Sequence, residues 1–124
     1  MSALTALIVE DNRSMRELLA GALRRIPGIS TFEAADGLEA LQHMDDACPD
    51  IILTDINMPV MDGLTLLKHV RALARLSDVP VLILTTEGCP RERARAIALG
   101  ASSYLVKPVK APRVLAEVRF LLKL

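Results

Sequence analysis

The chain has 124 residues, 52% of them hydrophobic, three aromatic residues (Phe32, Tyr104 and Phe120), and 15 Lys plus Arg against 15 Asp plus Glu. That length fits one domain, residues 1–124, with an aliphatic core burying roughly two thirds of the surface its unfolded form exposes. Balanced charge supplies no global field for nucleic acid or an acidic membrane; the absence of a signal-peptide pattern, of a membrane-length apolar run and of metal-like spacing between Cys48 and Cys89 leads us to expect a cytoplasmic protein.

Leu4 to Val9 predicts a strand that stops at an acidic turn, Glu10, Asp11 and Asn12. Met15, Leu19, Ala22, Leu23 and Ile26 then recur along one face of a helix that Pro27-Gly28 ends. Ser30 to Ala34 predicts a weaker strand near an edge. Asp36 and Glu39 carry the spacing of a helix cap, so a short second helix follows with Leu38, Leu41 and Met44 inward. Ile51 to Thr54 is too apolar and β-branched for a surface strand and predicts one buried on both faces, ending in Asp55. Past a polar turn, Asp62 starts a third helix through Leu64, Leu67, Val70, Leu73 and Ala74.

Val79 to Leu84 predicts another doubly buried strand, closing on Thr85, Thr86 and Glu87. Pro90 suits the first position of a fourth helix and Gly100 its C-terminal cap. Tyr104 to Val106 is a brief fifth strand ending in Lys107-Pro108, and Pro112 opens a last helix through Leu115, Val118 and Leu122. Strands alternating with helices imply a parallel sheet covered on both faces, a doubly wound α/β fold.

In a parallel sheet the strand ends share one edge, the edge where open α/β sheets hold their chemistry. Glu10, Asp11, Asp55, Thr85 and Lys107 are therefore expected to converge. Carboxylates so placed repel by about 4 kcal/mol per close pair at an effective dielectric of 20, which calls for a positive partner. An all-oxygen donor set suits Mg²⁺; Lys107 adds an ammonium and Thr85 a hydroxyl. A carboxylate nucleophile, a hard cation, a lysine and a hydroxyl are the parts that receive a phosphoryl group.

The acidic pair Glu10-Asp11, the block DINMPVMDG from Asp55 to Gly63, LTTE from Leu84 to Glu87, GASSYLVKP from Gly100 to Pro108 and their separations resemble the response-regulator receiver domains, especially the single-domain chemotaxis regulators. The resemblance covers essentially the whole chain. It implies the flavodoxin-like strand order 2-1-3-4-5, phosphorylation of Asp55 by a sensor histidine kinase, and Mg²⁺ held by Asp11, Asp55 and the Asn57 carbonyl, with Glu10 acting through water. It further implies that Thr85 and Lys107 contact the phosphoryl oxygens, that Tyr104 reports activation, that Asn57, Thr86 and Glu87 tune the phosphate lifetime, and that Lys107-Pro108 is cis. A separate protein effector would meet the surface of helix 4, strand 5 and helix 5, where Arg91, Arg95 and Tyr104 lie. Two departures are Glu10 in place of the commoner Asp and Thr86 where many members carry Ala.

Plainer readings stand beside these. The arginines Arg91, Arg93 and Arg95 suit a solvated helix face, with Glu92 pairing locally. Cys48 and Cys89, each before a proline, suit small buried or capping positions; His43 and His69 receive no role. Rival functions are a non-phosphorylated interaction module, a relay intermediate or phosphate sink, and the receiver of a longer regulator. An aspartate-nucleophile phosphatase is disfavoured by Asn57, and a flavin carrier by the acidic first turn.

Overall fold

A computed structural model describes residues 3–46, 48–86 and 88–124. Five strands, β1 (Leu4–Val9), β2 (Ile29–Ala34), β3 (Ile51–Thr54), β4 (Val81–Thr85) and β5 (Ser103–Val106), form one parallel sheet in the order β2-β1-β3-β4-β5. Every residue of β3 and β4 is buried, as apolar strands covered on both faces should be. The helices are α1 (Arg13–Leu23), α2 (Gly37–Asp46), α3 (Gly63–Ala72), α4 (Pro90–Ala98) and α5 (Ala111–Leu121).

Two apolar clusters lie on opposite faces of the sheet. One packs Leu7, Ile52 and Ile83 against α2, α3 and α4 through Ala40, Leu67 and Ala96, and includes Tyr104. The other packs Ile8, Leu53 and Leu84 against α1 and α5 through Leu19, Leu23, Val114 and Val118. Successive strand residues feed alternate clusters because their side chains point to opposite faces. α4 and α5 therefore flank the edge strand β5 from its two sides.

Caps place several helix starts. Asn12 Oδ1 accepts from Met15 N–H at 2.9 Å, Asp36 Oδ1 from Glu39 N–H at 2.9 Å, and Asp62 Oδ1 from Thr65 N–H at 2.8 Å. Gly100 follows the end of α4 at φ 107°, a conformation that favours glycine. The Arg71 guanidinium, at the end of α3, donates twice to the Gly100 carbonyl (3.0 and 2.8 Å) and once to the Leu76 carbonyl (3.1 Å). It ties two loops at the end of the sheet opposite Asp55.

Several sequence expectations need correction. Leu38 is 46% exposed rather than inward, because Leu41 and Met44 complete the buried side of a ten-residue helix without it. Leu73 and Ala74 do not extend α3: Leu73 turns to extended backbone (ψ 120°), is itself exposed, and leads into a 3-10 turn at Ala74–Leu76 in which Leu76 takes over the core contact. β4 begins at Val81, since Pro80 precedes it and Val79 N–H is turned back to the Leu76 carbonyl. Both cysteines are exposed; Cys89 holds the N-cap position of α4 but makes no side-chain cap bond. Among the described residues Glu92 forms no ion pair and its buried Oε1 has no hydrogen-bond partner.

Eight of the basic residues occur from Arg91 onward, where only Glu92 and Glu117 are acidic. One of the eight, Lys107, turns to Glu10 and Asp55 at the strand ends; the other seven leave the side formed by α4, β5 and α5 with an excess of basic residues, and the excess of acid lies in the remainder.

Glu117 joins α5 to β5. Its carboxylate accepts from Ser103 Oγ at 2.6 Å and from Arg113 at 2.8 Å. The Ser103 hydrogen bond chiefly, with Arg113 and against a smaller effect of burial, holds this carboxyl below its ordinary 4.5. A depressed folded value contributes stability that is present above pH 4.5 and is lost as pH falls through the folded value. Acid titration of the urea midpoint should therefore show a steeper loss below pH 4.5 for the wild type than for Glu117→Gln; parallel curves would contradict the assignment.

Candidate functional site

Register brings the polar strand ends together. Val9 pairs with Thr54 and Thr85 with Val106, so the residues just past β1, β3, β4 and β5 leave the sheet at one edge. Backbone bonds continue that alignment: Glu10 N–H donates to the Ala34 carbonyl, Asp55 N–H to the Val9 carbonyl, and Lys107 N–H to the Thr85 carbonyl.

At this edge one carboxylate oxygen each from Glu10, Asp11 and Asp55 lies within 4.8 Å of the others. Lys107 Nζ donates to Asp55 Oδ2 at 3.0 Å and to Glu10 Oε1. The second oxygens of Glu10 and Asp55 are held by the backbone: Glu10 Oε2 accepts from Asn12 N–H at 3.0 Å and Asp55 Oδ1 from Ile56 N–H at 2.7 Å. Glu10 is 2% exposed, Asp55 9%, and Asp11 exposed, so the group opens to solvent on the Asp11 side.

Burial pushes the Glu10 carboxyl above its usual range, and the bonds from Lys107 and the Asn12 N–H offset only part of that. For Lys107 burial acts downward, but Glu10 and Asp55 together outweigh it and raise the ammonium above its ordinary value. Two carboxylates around one ammonium leave a net negative, oxygen-lined group, to which exposed Asp11 adds a third acid. Glu10, Asp11 and Asp55 fit a hard divalent cation by donor chemistry and spacing, with hydration water completing the set. Mg²⁺ matches such a set.

Two structural features of this edge were not legible in the sequence. Gly63, the first residue of α3, packs so closely beneath Asp55 that a Cβ there would sit 2.0 Å from the Asp55 carbonyl oxygen, while its N–H donates to the Ile56 carbonyl at 2.8 Å. The only signal was a glycine directly after a capping Asp. Arg16, on α1, reaches back to the acidic turn, its Nη1 donating to the Glu10 carbonyl at 2.8 Å and the Asp11 carbonyl at 3.3 Å. Its Nε pairs with Glu33 on β2 at 3.4 Å. Sequence does not distinguish it from Arg13, which among the described residues pairs only with Glu17 on its own helix.

Between Asp55 and α3 the loop is strained: Val60 is 77% exposed and has φ 68°, a left-handed conformation costing a β-branched residue about 1–2 kcal/mol. Asn57 is exposed in the same loop. Thr85 is wholly buried at the end of β4, and Thr86 after it is exposed. The expectation placed on Glu87 lies outside the described residues. Tyr104 is buried on β5 beside Ile83, whereas Arg91 and Arg95 stand exposed on α4 without an ion pair among the described residues. The Lys107-Pro108 bond is cis. His43 lies obliquely near Phe32, with ring centroids 6.3 Å apart.

Comparison with known proteins agrees with this arrangement. The family described as the response regulator receiver domain matches residues 6–119. The chemotaxis protein CheY1 of Helicobacter pylori is 38% identical over 112 residues, covering 90% of each chain. The chemotaxis protein CheY homolog of Campylobacter jejuni is 39% identical over 114 residues, 90% of this chain and 85% of that one. Among solved structures, the chemotaxis response regulator CheY4 of Vibrio cholerae superposes with a TM-score of 0.90 at 35% identity, covering 97% of this chain and 99% of that one.

Proposed function

The chain belongs to the response regulator receiver family, and on that premise we propose that it is a phosphorylation switch whose acceptor is Asp55. The observation that carries the reading is the grouping of Asp55 with Lys107, Glu10 and Asp11 at the carboxyl edge of the sheet. The donor is the phosphoimidazole of a sensor histidine kinase. An Asp55 oxygen attacks phosphorus, the P–N bond breaks with its electron pair going to the ring nitrogen, that nitrogen takes a proton from solvent so that neutral imidazole leaves, and an aspartyl phosphate results.

Lys107 stays beside the acceptor and neutralises charge on the phosphoryl oxygens, while Thr85 supplies a hydroxyl to them. Asp11, Asp55 and the Asn57 carbonyl would hold Mg²⁺, with Glu10 acting through water, and the bound ion would supply further neutralisation of the transferring group. Asn57, Thr86 and Glu87 set how readily water reaches the acyl phosphate. The product contributes a charge that shifts the populations of two surface arrangements, with Thr85 drawn toward the phosphoryl group and Tyr104 following. The readout is binding of a separate protein at α4, β5 and α5, including Arg91 and Arg95, in the cytoplasm and with a chemotaxis-like output. The chain takes up one phosphoryl group rather than turning over a substrate.

Incubation with a small phosphodonor, with and without Mg²⁺, and intact-mass spectrometry test this. One hydroxylamine-labile phosphate that needs Mg²⁺ and is absent from Asp55→Asn is expected. No adduct under any donor would favour a plain interaction module, and multiple turnover of an added phosphoester would favour a phosphatase.

A further inference from the structure

Metal ligands act only as well as their backbone is held, and the side chains that hold it are commonly worth as much as a weak ligand. Asp11 is the exposed member of the acid group and stands on a turn, not a strand. The carbonyls on which that turn rests, those of Glu10 and Asp11, both accept from one guanidinium nitrogen of Arg16. The other side of the same guanidinium is anchored on Glu33 of β2, and the Arg16 side chain is only 18% exposed. A planar group fixed at both ends sets the peptide planes on either side of Asp11, and hence the direction of its side chain. Lysine carries a compact ammonium in place of this planar fork, so it could donate to the turn carbonyls or to Glu33 but could not span from one to the other.

We propose that Arg16 is a positioning residue for the divalent cation: it binds neither metal nor phosphoryl group but aims Asp11 into the acid cluster. The inference rests on the receiver reading of the site. Its sign separates it from a simple charge effect. Arg16 is a cation near a cation site, so removing it lessens repulsion and by Coulomb attraction alone would tighten metal binding. Loss of positioning acts the other way.

The test is titration of the purified protein with Mn²⁺ followed by electron paramagnetic resonance, and with Mg²⁺ by calorimetry, on wild type, Arg16→Ala, Arg16→Lys and Arg13→Ala. Arg13→Ala removes the same charge from the same helical turn without touching the turn carbonyls. Arg16→Ala should raise the metal Kd about tenfold, the usual scale for an outer-shell partner, and Arg16→Lys should fall between it and wild type. Arg13→Ala should bind at least as tightly as wild type. Phosphorylation by a small donor should recover to the wild-type rate at saturating Mg²⁺ in Arg16→Ala, which a merely unfolded variant would not show. Unchanged metal affinity in Arg16→Ala, or in Arg16→Lys should the alanine variant not fold, overturns the proposal. Absence of metal binding by wild type would instead overturn the reading of the site itself.

Discussion

Gly63→Ala is expected to be the most damaging single methyl group that can be added to this protein. A Cβ at that position would lie 2.0 Å from the Asp55 carbonyl oxygen and 2.9 Å from both the Asp55 carbonyl carbon and the Ile56 Cα. All three are backbone atoms of the segment that leaves a fully buried strand, so none can swing aside as a flexible side chain would. Either α3 retreats, breaking the Gly63 N–H bond to Ile56 and opening the packing of Leu64 and Leu67, or the end of β3 moves and carries Asp55 with it. A clash relieved only by moving backbone belongs with the exceptional losses, on the order of 4 kcal/mol or more. At roughly 4 °C per kcal/mol for a domain of this size, Tm should fall by about 15 °C. Thermal unfolding followed by circular dichroism would check it; a loss of less than about 1 kcal/mol in urea would mean that the close approach is not present in solution.

The second large effect is expected from Lys107→Met. Lys107, Glu10 and Asp55 have side chains only 14%, 2% and 11% exposed, so removal of the ammonium leaves two carboxylates out of water with no protein cation between them. Breaking a buried pair from one side costs about 3–5 kcal/mol. The cost depends on pH in a definite direction. Burial already raises Glu10 in the wild type, and an acid with a raised folded value is most stabilising below its ordinary 4.5 and loses stability as pH rises through the folded value. Without Lys107 that window should widen upward. Lys107 itself, raised above its ordinary 10.5, contributes stability that persists below that value and is lost only as pH climbs through the folded value. The variant should therefore be much weaker than wild type at pH 8 and close part of the gap at pH 5. Added Mg²⁺ should also stabilise the variant more than wild type, because it supplies the missing positive charge to a folded state that alone assembles the site. Urea midpoints at the two pH values, each with and without Mg²⁺, provide the measurement. Equal stability at pH 8 would show that the carboxylates are solvated after all.

These two residues mark how far the site can be read before folding is known. Asp55 and Lys107 were legible because each directly follows an apolar strand, and parallel strands end on a common edge; Lys107 and Glu10, 97 residues apart, then meet by topology alone. The fold was legible for the same reason, since β3 and β4 are continuous apolar runs and the helices between them carry a one-sided apolar face. Gly63 was not, because a glycine's importance depends on what lies opposite its missing Cβ, and that is the backbone eight residues earlier. Arg16 was not, because its partners are carbonyls, which every residue has and no pattern marks. Leu38 and Leu73 misled for a related cause: short helices offer more apolar residues than their buried stripe can use, and the one left over is decided by how the element packs.

The segregation of basic residues onto the α4, β5 and α5 side has a consequence that the formal charge of zero conceals. Such a molecule has a sizeable electric dipole, so an approaching charged body exerts a torque before any atoms touch, over a range of about 10 Å at 0.1 M ionic strength. Its encounters are thereby pre-oriented, and added salt should randomise them even though the protein as a whole is neither attracted nor repelled.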